Sequence, residues 1–578
     1  MVARAGLLYK ISMIKSAYPT ALAVLVLVGF GSAVGYGIIN LDDPIYLISR
    51  APNYSFGWAF SWTGDAMWTP LTWISYWFDH AVFGSNWGMF HLHNIILHIV
   101  GSVLLYLVLR AIFPLTEPFL CFLAAAIWAI HPLRVESVAW LASRKDVLCN
   151  VFFFSALLVW IKANGPIALL SALLLTVLSA AAKPSAMLFF VFVAVVDFLI
   201  TGKKRHCIWY VTAFVLSAAI AIEAGVVQSM GNADFVASHI PFLYKVLNAA
   251  CAISIYFANV VSPFDLAPQC TLKFPEVPRH SIFGFVLAAT VVFYLSKFIM
   301  EAWRNRRLPQ NPVIAGLGIF SIALIPYLGI SGFGCHAFAD RFTILPCVGI
   351  SIAAVGSFNR LPLGTGRKKN VVRIASVVLP IALCIMTARQ TAYWEDDLSL
   401  FEHTLKVDGD RNLIAHQIMI VHEYEFSHDF GKIFSHAHSM MSGSPWQMFM
   451  TAQTGPILLE AAYETGHREE AEKIYDWQLA WGKERVNILK AQYPFIEQTE
   501  TMAVCDAIRL AYTPGMLQMA KKRLSELQHD FPDNFLVKNL NYITARIEGD
   551  PVRMEIARKS AYAPKSGEPL LHNRWAIR

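Results

Sequence analysis

Long apolar runs separated by short polar stretches fill residues 1 to 390, whereas residues 391 to 578 alternate apolar and polar positions with helical spacing. The changeover falls near Arg389 to Trp394. A helix needs roughly 20 apolar residues to cross a bilayer. By that measure the candidate spans are 18–40, 92–113, 118–131, 147–163, 166–182, 185–201, 207–226, 243–261, 281–301, 312–331, 342–358 and 371–388. The pattern predicts an all-α protein in two domains: a polytopic membrane helical bundle over 1–390, and a soluble helical array over 391–578 broken at Gly409, Gly431, Gly466, Pro514, Pro532 and Gly549.

Composition supports the membrane assignment. The chain is 56% hydrophobic and 15% charged, against about 25% charged in an ordinary soluble protein. The net charge of +7 does not point to nucleic acid, because the basic residues cluster at the ends of apolar runs, where Lys and Arg orient a membrane protein. Lys203, Lys204 and Arg205, then Arg304, Arg306 and Arg307, then Arg367, Lys368 and Lys369 should therefore be cytoplasmic, with the N-terminus. Only an odd number of crossings satisfies all three clusters. The weakest span, 243–261, carries Lys245, Asn248 and Asn259 and is expected not to cross. That leaves eleven crossings and puts the C-terminal domain on the far side. The first run follows Arg4, Lys10 and Lys15 and reads as a retained signal anchor. Most of the nine cysteines lie inside apolar runs as small core residues; the pair open to a disulfide is Cys270 and Cys335.

This topology gathers the polar chemistry on the far side. Asp42 and Asp43 follow the first span directly; crowded carboxylates at a membrane boundary have a raised pKa, which suits a general base, and a solvated helix end is the plainer alternative. An aromatic stretch follows, including Trp68-Thr69-Pro70-Leu71-Thr72-Trp73, of the kind that lies at the headgroup level. His91, Asn94 and His98 share one face of the second span, as functional or as bundle-stabilising groups. The string from His131 to Asp146 contains Glu136, Arg144 and Lys145 and predicts a short surface helix with its polar side in a cleft. Its spacing does not suit zinc. Lys183, and Arg341 beside Asp340, are cations on the face without orientation signals, placed for an anion such as a lipid phosphate.

Together these strings resemble the transmembrane and tetratricopeptide-repeat O-mannosyltransferases and their bacterial relatives, within the GT-C superfamily. The matching motifs are Asp42-Asp43, the Trp68 to Trp73 string, Phe83-Gly84-Ser85-Asn86, the string from His131 to Leu148, Ala182-Lys183-Pro184, Pro263-Phe264-Asp265-Leu266 and Ala339-Asp340-Arg341-Phe342. The resemblance implies inverting transfer of a sugar from a polyprenyl-phosphate carrier to a hydroxyl of an acceptor protein at the outer face of the membrane. It implies Asp42 or Asp43 as base, and Arg144, Lys145, Lys183 and Arg341 at the carrier phosphate; from their own positions among the far-side segments, His91, His131, Glu136, Asp146 and Asp340 are expected to be substrate or cleft residues. It implies no essential metal, at most an auxiliary divalent cation.

One base and a phosphate clamp are a sufficient chemical set, because a lipid phosphate is a good leaving group when cations meet its charge. In the C-terminal part, Leu458 to Tyr475 matches the turn region of a tetratricopeptide repeat, with Gly466 at the turn, although the ~34-residue period of such arrays is poorly kept. Acceptor binding and simple coverage of the catalytic loops are its two candidate roles. Its compact size suits a bacterial inner membrane, with the C-terminal domain periplasmic. A transferase acting on a lipid-linked glycan is an alternative. A transporter or flippase is another; it predicts polar residues at mid-bilayer and inverted repeats, whereas the charges here collect at one interface.

Overall fold

A computed structural model describes residues 17–61, 68–230, 241–268, 270–271, 281–304, 310–330, 336–358, 367–409, 412–427, 429–441, 454–489, 500–530, 535–554 and 556. Arg306, Arg307, Cys335 and His428 lie outside them, and with Cys335 the suggested disulfide. The chain forms two compact units. One comprises residues 1–39 and 51–396; the other comprises 40–50 and 397–578. Asp42 and Asp43 therefore group with the C-terminal unit.

In the first unit all twelve apolar segments are helical. Lipid offers no partner for a backbone N–H or C=O, and a helix satisfies both internally. Proline opens the helices Pro70–Phe83, Pro118–Ala129, Pro166–Ala182 and Pro312–Leu324, at the position where its missing N–H costs no helical bond. Among the described residues, six helices are long and apolar enough to cross a membrane: Ala17–Gly35, Trp87–Ile112, Pro184–Thr201, Cys207–Val227, Phe242–Val261 and Ile374–Ala392. A seventh arises if Pro118–Ala129 and Pro132–Ala139, bent by 58°, form one span. Pro166–Ala182, Pro312–Tyr327 and Pro346–Phe358 are apolar but shorter. Eleven crossings thus do not emerge from helix length and composition. The segment expected not to cross is a continuous 20-residue helix, Phe242–Val261; Asn248 is buried within it, so its polar side is turned to protein.

The string from His131 to Asp146 corrects the expectation of a surface helix. It folds as a 3-10 turn Pro132–Arg134, a short helix Val135–Ala139, a second 3-10 turn Leu141–Ser143 and the start of the helix Arg144–Lys162. Every residue from 131 to 150 is buried. Far along the chain, a two-stranded antiparallel pair, Cys270–Thr271 with His336–Phe338, leads into the turn Asp340–Thr343 and the helix Pro346–Phe358.

That last helix is held by a glycine contact. A Cβ on Gly316 would meet the Gly349 carbonyl oxygen at 2.3 Å, and one on Gly349 would meet that of Gly316 at 2.3 Å. Small residues let membrane helices approach to backbone distance, which is how they gain packing energy without a hydrophobic drive. The approach fixes where the turn at Arg341 sits.

The second unit is a run of helices, among them Asp397–Asp408, Leu413–His422, Gly455–Glu464, Arg468–Leu489, Glu500–Tyr512, Leu517–Asp530 and Phe535–Ile547. Gly466, at φ +81°, makes the turn between Gly455–Glu464 and Arg468–Leu489, a backbone conformation that glycine alone adopts without strain. One apolar core, including Ile457, Ala461, Ala471, Val504, Ile508, Ala520, Leu524 and Leu540, runs through these helices. Within it the Tyr424 hydroxyl donates to Glu460 Oε2 at 2.7 Å. The 40–50 segment is joined to this unit by the Asn40 N–H, which donates to Asp397 Oδ1 at 2.7 Å.

Replacing Gly349 by leucine is expected to force the helices Pro312–Leu324 and Pro346–Phe358 apart and lower the thermal midpoint in detergent by several degrees, while Gly318→Leu, at a position with open space, leaves it nearly unchanged. Equal shifts for the two would show that the Gly316–Gly349 approach does not determine this packing.

Candidate active site

Charged side chains in the first unit are drawn inward and paired. The first cluster centres on Arg144, a fully buried guanidinium at the start of the helix Arg144–Lys162. It is ion-paired with Asp79, donates from Nε to Asn94 Oδ1 at 2.7 Å and from another nitrogen to the Phe90 carbonyl at 2.9 Å, and lies over the Tyr76 ring at 4.8 Å. Asp79 Oδ1 in turn meets His93 Nδ1 at 2.7 Å. The Tyr76 hydroxyl donates to the Leu141 carbonyl at 2.7 Å. This cluster clasps the helices Pro70–Phe83, Trp87–Ile112 and Arg144–Lys162 together, so the placement of Arg144 is that of a brace.

The second cluster forms where the buried string meets two distant segments. Glu136 is ion-paired with Arg341 and also accepts the Arg341 backbone N–H at 2.8 Å, gripping the turn Asp340–Thr343 at two points. The Arg341 guanidinium lies over the rings of Trp140 at 5.2 Å and Phe342 at 4.9 Å. Lys183 is paired with Asp146 at 2.5 Å, and its ammonium lies 5.7 Å from the same Phe342 ring. Tyr327 stacks on Phe342 with ring centres 4.7 Å apart, and its hydroxyl shares a 2.7 Å hydrogen bond with Ser185. Two cations, each with its own carboxylate, thus gather around one phenylalanine. Cation–π attraction of this kind contributes up to about 2 kcal/mol when desolvated.

The turn is fixed from other sides as well. Arg134 donates to Thr343 Oγ1 at 2.6 Å, the Trp128 indole donates to the Ile344 carbonyl at 2.9 Å, and Asn259 Nδ2 donates to Asp340 Oδ1 at 3.3 Å. Burial foremost, and then the neighbouring Glu136 carboxylate, hold the Asp340 carboxyl above the usual carboxylate range. Asp340 therefore favours its neutral form.

The structure brings Glu136, Asp146, Lys183, Asp340 and Arg341 into this one neighbourhood. It places Arg144 in the separate brace, with Lys145 buried next to it in sequence. His91 and His98 serve bundle packing: His91 Nε2 meets the Gly37 carbonyl at 3.0 Å and His98 Nε2 the Ala129 carbonyl at 2.8 Å. His131 Nε2 meets the Val260 carbonyl at 3.1 Å. Asp43 is buried and Asp42 half-buried, both in the C-terminal unit. Among the described residues no three His, Cys, Asp or Glu side chains come together as a metal-holding group.

Sequence reasoning missed Asp79 and Tyr327. A lone carboxylate in the aromatic helix Pro70–Phe83 was a signal for the first, since an unpaired buried acid demands a cation. Nothing in the sequence marks Tyr327.

The molecule is a predominantly helical integral membrane protein with a buried, charge-paired polar centre. Comparison with known proteins places it beside named enzymes. It is 24% identical over 387 residues to a protein O-mannosyl-transferase of Caenorhabditis elegans, covering 65% of this chain and 54% of that protein. It is 24% identical over 408 residues to the Homo sapiens protein O-mannosyl-transferase TMTC4, covering 60% of this chain and 54% of that protein. A shorter match, 34% identical over 93 residues, covers 16% of this chain and 11% of Mus musculus TMTC2, also a protein O-mannosyl-transferase. The resemblance drawn from the motifs is therefore borne out. The chain spans about half the length of the Caenorhabditis elegans protein and of TMTC4. No family model matches it, and no solved structure matches it.

Asp79→Ala strands the Arg144 charge in a dry site and is expected to cost about 3–5 kcal/mol of stability, whereas the double replacement Asp79→Leu, Arg144→Met costs much less, because a buried pair and an apolar pair of similar volume are near-equivalent. Thermal unfolding of the single and double variants in one detergent measures this. A double variant as unstable as the sum of the singles would remove the pairing from the account.

Proposed function

We propose that this protein is a membrane glycosyltransferase of GT-C type, moving a sugar from a polyprenyl-phosphate carrier to a hydroxyl of an acceptor protein, with inversion, on the outer face of the membrane. The observation that carries the reading is the gathering of Lys183 and Arg341 around Phe342. The names of the relatives, protein O-mannosyl-transferases, support the reaction class.

In the proposed step the acceptor oxygen attacks the anomeric carbon as the bond from that carbon to the phosphate oxygen breaks. The acceptor proton passes to a carboxylate, and the lipid phosphate leaves with the electron pair. Lys183 and Arg341 meet the charge that grows on the leaving phosphate; charge-assisted contacts in a water-poor site are where electrostatic stabilisation is largest. Their resting partners are Asp146 and Glu136, with which Lys183 and Arg341 form ion pairs. The general base is assigned to Asp42 or Asp43 on their position directly after the first span and on the family resemblance. Arg144 and Lys145 belong to the phosphate-binding set on the same resemblance; the brace around Arg144 favours a supporting part for it. No essential metal is invoked. The outer face corresponds, in a bacterial inner membrane, to the periplasmic side, and the helical C-terminal unit is proposed to lie there and to bind the acceptor protein in the manner of tetratricopeptide repeats.

The test is transfer of labelled sugar from a synthetic polyprenyl-phosphate donor to protein, by the full chain in nanodiscs. Loss of the base is expected to lower the rate about 10²–10⁴-fold in Asp42→Asn or Asp43→Asn. Arg341→Lys, which keeps the charge and loses the planar fork, is expected to weaken carrier binding with a thermal midpoint close to that of the native chain. Undiminished transfer in both aspartate variants sinks the base assignment. Carrier binding unaltered by Arg341→Lys and by Lys183→Gln sinks the clamp.

A further inference from the structure

Buried polar atoms without a partner concentrate in one stretch. Arg134, Ser137, Trp140, Ser143, Asp146 and Asn150 each keep a buried side-chain nitrogen or oxygen with no hydrogen-bond partner in the protein. Such atoms are normally satisfied, so a run of exceptions marks a place where something outside the chain supplies the partner.

Two of the six belong to the cation cluster, and each is only half engaged. Trp140 gives its ring face to Arg341 at 5.2 Å and leaves Nε1, a donor, unmatched. Asp146 gives Oδ1 to Lys183 and leaves Oδ2, an acceptor, unmatched. Trp140 is 1% exposed and Asp146 2%, so bulk water is not the ready partner of either.

Polarity decides what fits. Phosphate oxygens are acceptors; they suit an indole N–H and are repelled by a carboxylate oxygen. A hydroxyl both donates and accepts. A free donor and a free acceptor, flanking two cations that suit a phosphate, match a polyhydroxyl ring carrying a phosphate. Arg134 offers N–H groups alone, beside Thr343 and Cys347, and has no such match.

We propose that Trp140 Nε1 and Asp146 Oδ2 read the hydroxyls of the carrier-linked sugar, adjoining the cations that hold its phosphate. This rests on the lipid-phosphate reading of the site and extends it from the phosphate to the sugar.

The experiment compares two kinds of probe on the full chain in nanodiscs: a polyprenyl phosphate without sugar, and the same lipid bearing mannose, glucose or galactose, taking whichever the native chain binds tightest. Trp140→Phe keeps an aromatic face for Arg341 and removes the N–H. Asp146→Asn keeps an oxygen for Lys183 and turns the free acceptor into a donor. Trp140→Phe is expected to weaken the sugar-bearing probe about 10-fold, the scale of one lost hydrogen bond of this kind, and to leave the sugar-free lipid within about twofold; Asp146→Asn, which also removes the carboxylate beside Lys183, is expected to weaken the sugar-bearing probe about 10-fold more than the sugar-free lipid. Equal weakening of both probes would assign the two residues to the phosphate or to the fold and overturn the inference, as would unchanged affinity for both, which would mean the atoms are merely hydrated. A native chain that binds none of the lipids overturns the lipid-phosphate reading itself, a failure distinct from the other two.

Discussion

The two-point grip of Glu136 on Arg341 organises the centre of the first unit. One carboxylate takes both the guanidinium and the backbone N–H of a residue 205 positions away. The side chain alone would pin a charge; the backbone bond also sets the orientation of the turn Asp340–Thr343, and with it the start of the helix Pro346–Phe358. In a low-dielectric interior such a pair is costly to desolvate and costlier to break, because either partner left alone is a buried charge. The remaining contacts on the turn, from Arg134, Trp128 and Asn259, work within the geometry that this pair imposes.

The same constraint explains which cations are free to orient the protein and which are not. Lys203, Lys204 and Arg205 read as one topology signal, yet Arg205 donates to Asp197 at 2.8 Å and to the Trp160 carbonyl at 2.6 Å, while Lys204 is exposed. A charge that is neutralised by a buried acid contributes less to orientation than one in water. Counting basic residues by sequence position treats the two alike, which weakens the parity argument behind eleven crossings. The helix Phe242–Val261 illustrates a related limit. Asn248 was weighed as a polar burden against lipid, but a polar residue turned to the bundle interior imposes none.

Much of the fold was legible because its signals are local. Apolar runs give helices whatever surrounds them, prolines at 70, 118, 166 and 312 mark where helices begin, and Gly466 marks a turn. Glu136, Asp146, Lys183, Asp340 and Arg341 were legible as charges in apolar surroundings, and the structure brings them together. Their pairings were not legible. That Arg144 answers Asp79 and not the neighbouring Asp146, or that Glu136 answers Arg341, depends on which helices lie side by side, and no local pattern encodes that. The burial of residues 131 to 150 was missed for the same reason. Five charges in sixteen residues look like surface until Glu136, Arg144 and Asp146 are seen to meet opposite charges elsewhere in the chain.

Those pairings also bear on how the proposed anion clamp could work in so closed a place. Two unpaired cations beside each other would repel and, when buried, would tend to lose their charge. Asp146 and Glu136 remove that problem, so the cluster carries no net charge from these four groups and stays folded without a ligand. The aromatic ring between the cations gives each a second, weaker partner that does not compete for hydrogen bonds. On the proposed reading, an arriving phosphate would have only to share or displace carboxylate contacts. The cost is that stability and the proposed anion binding would rest on the same side chains. Substitutions that preserve charge and remove geometry, such as arginine to lysine, separate the two roles; truncations to alanine cannot, because the stranded carboxylate destabilises the fold whatever the cation does to the ligand.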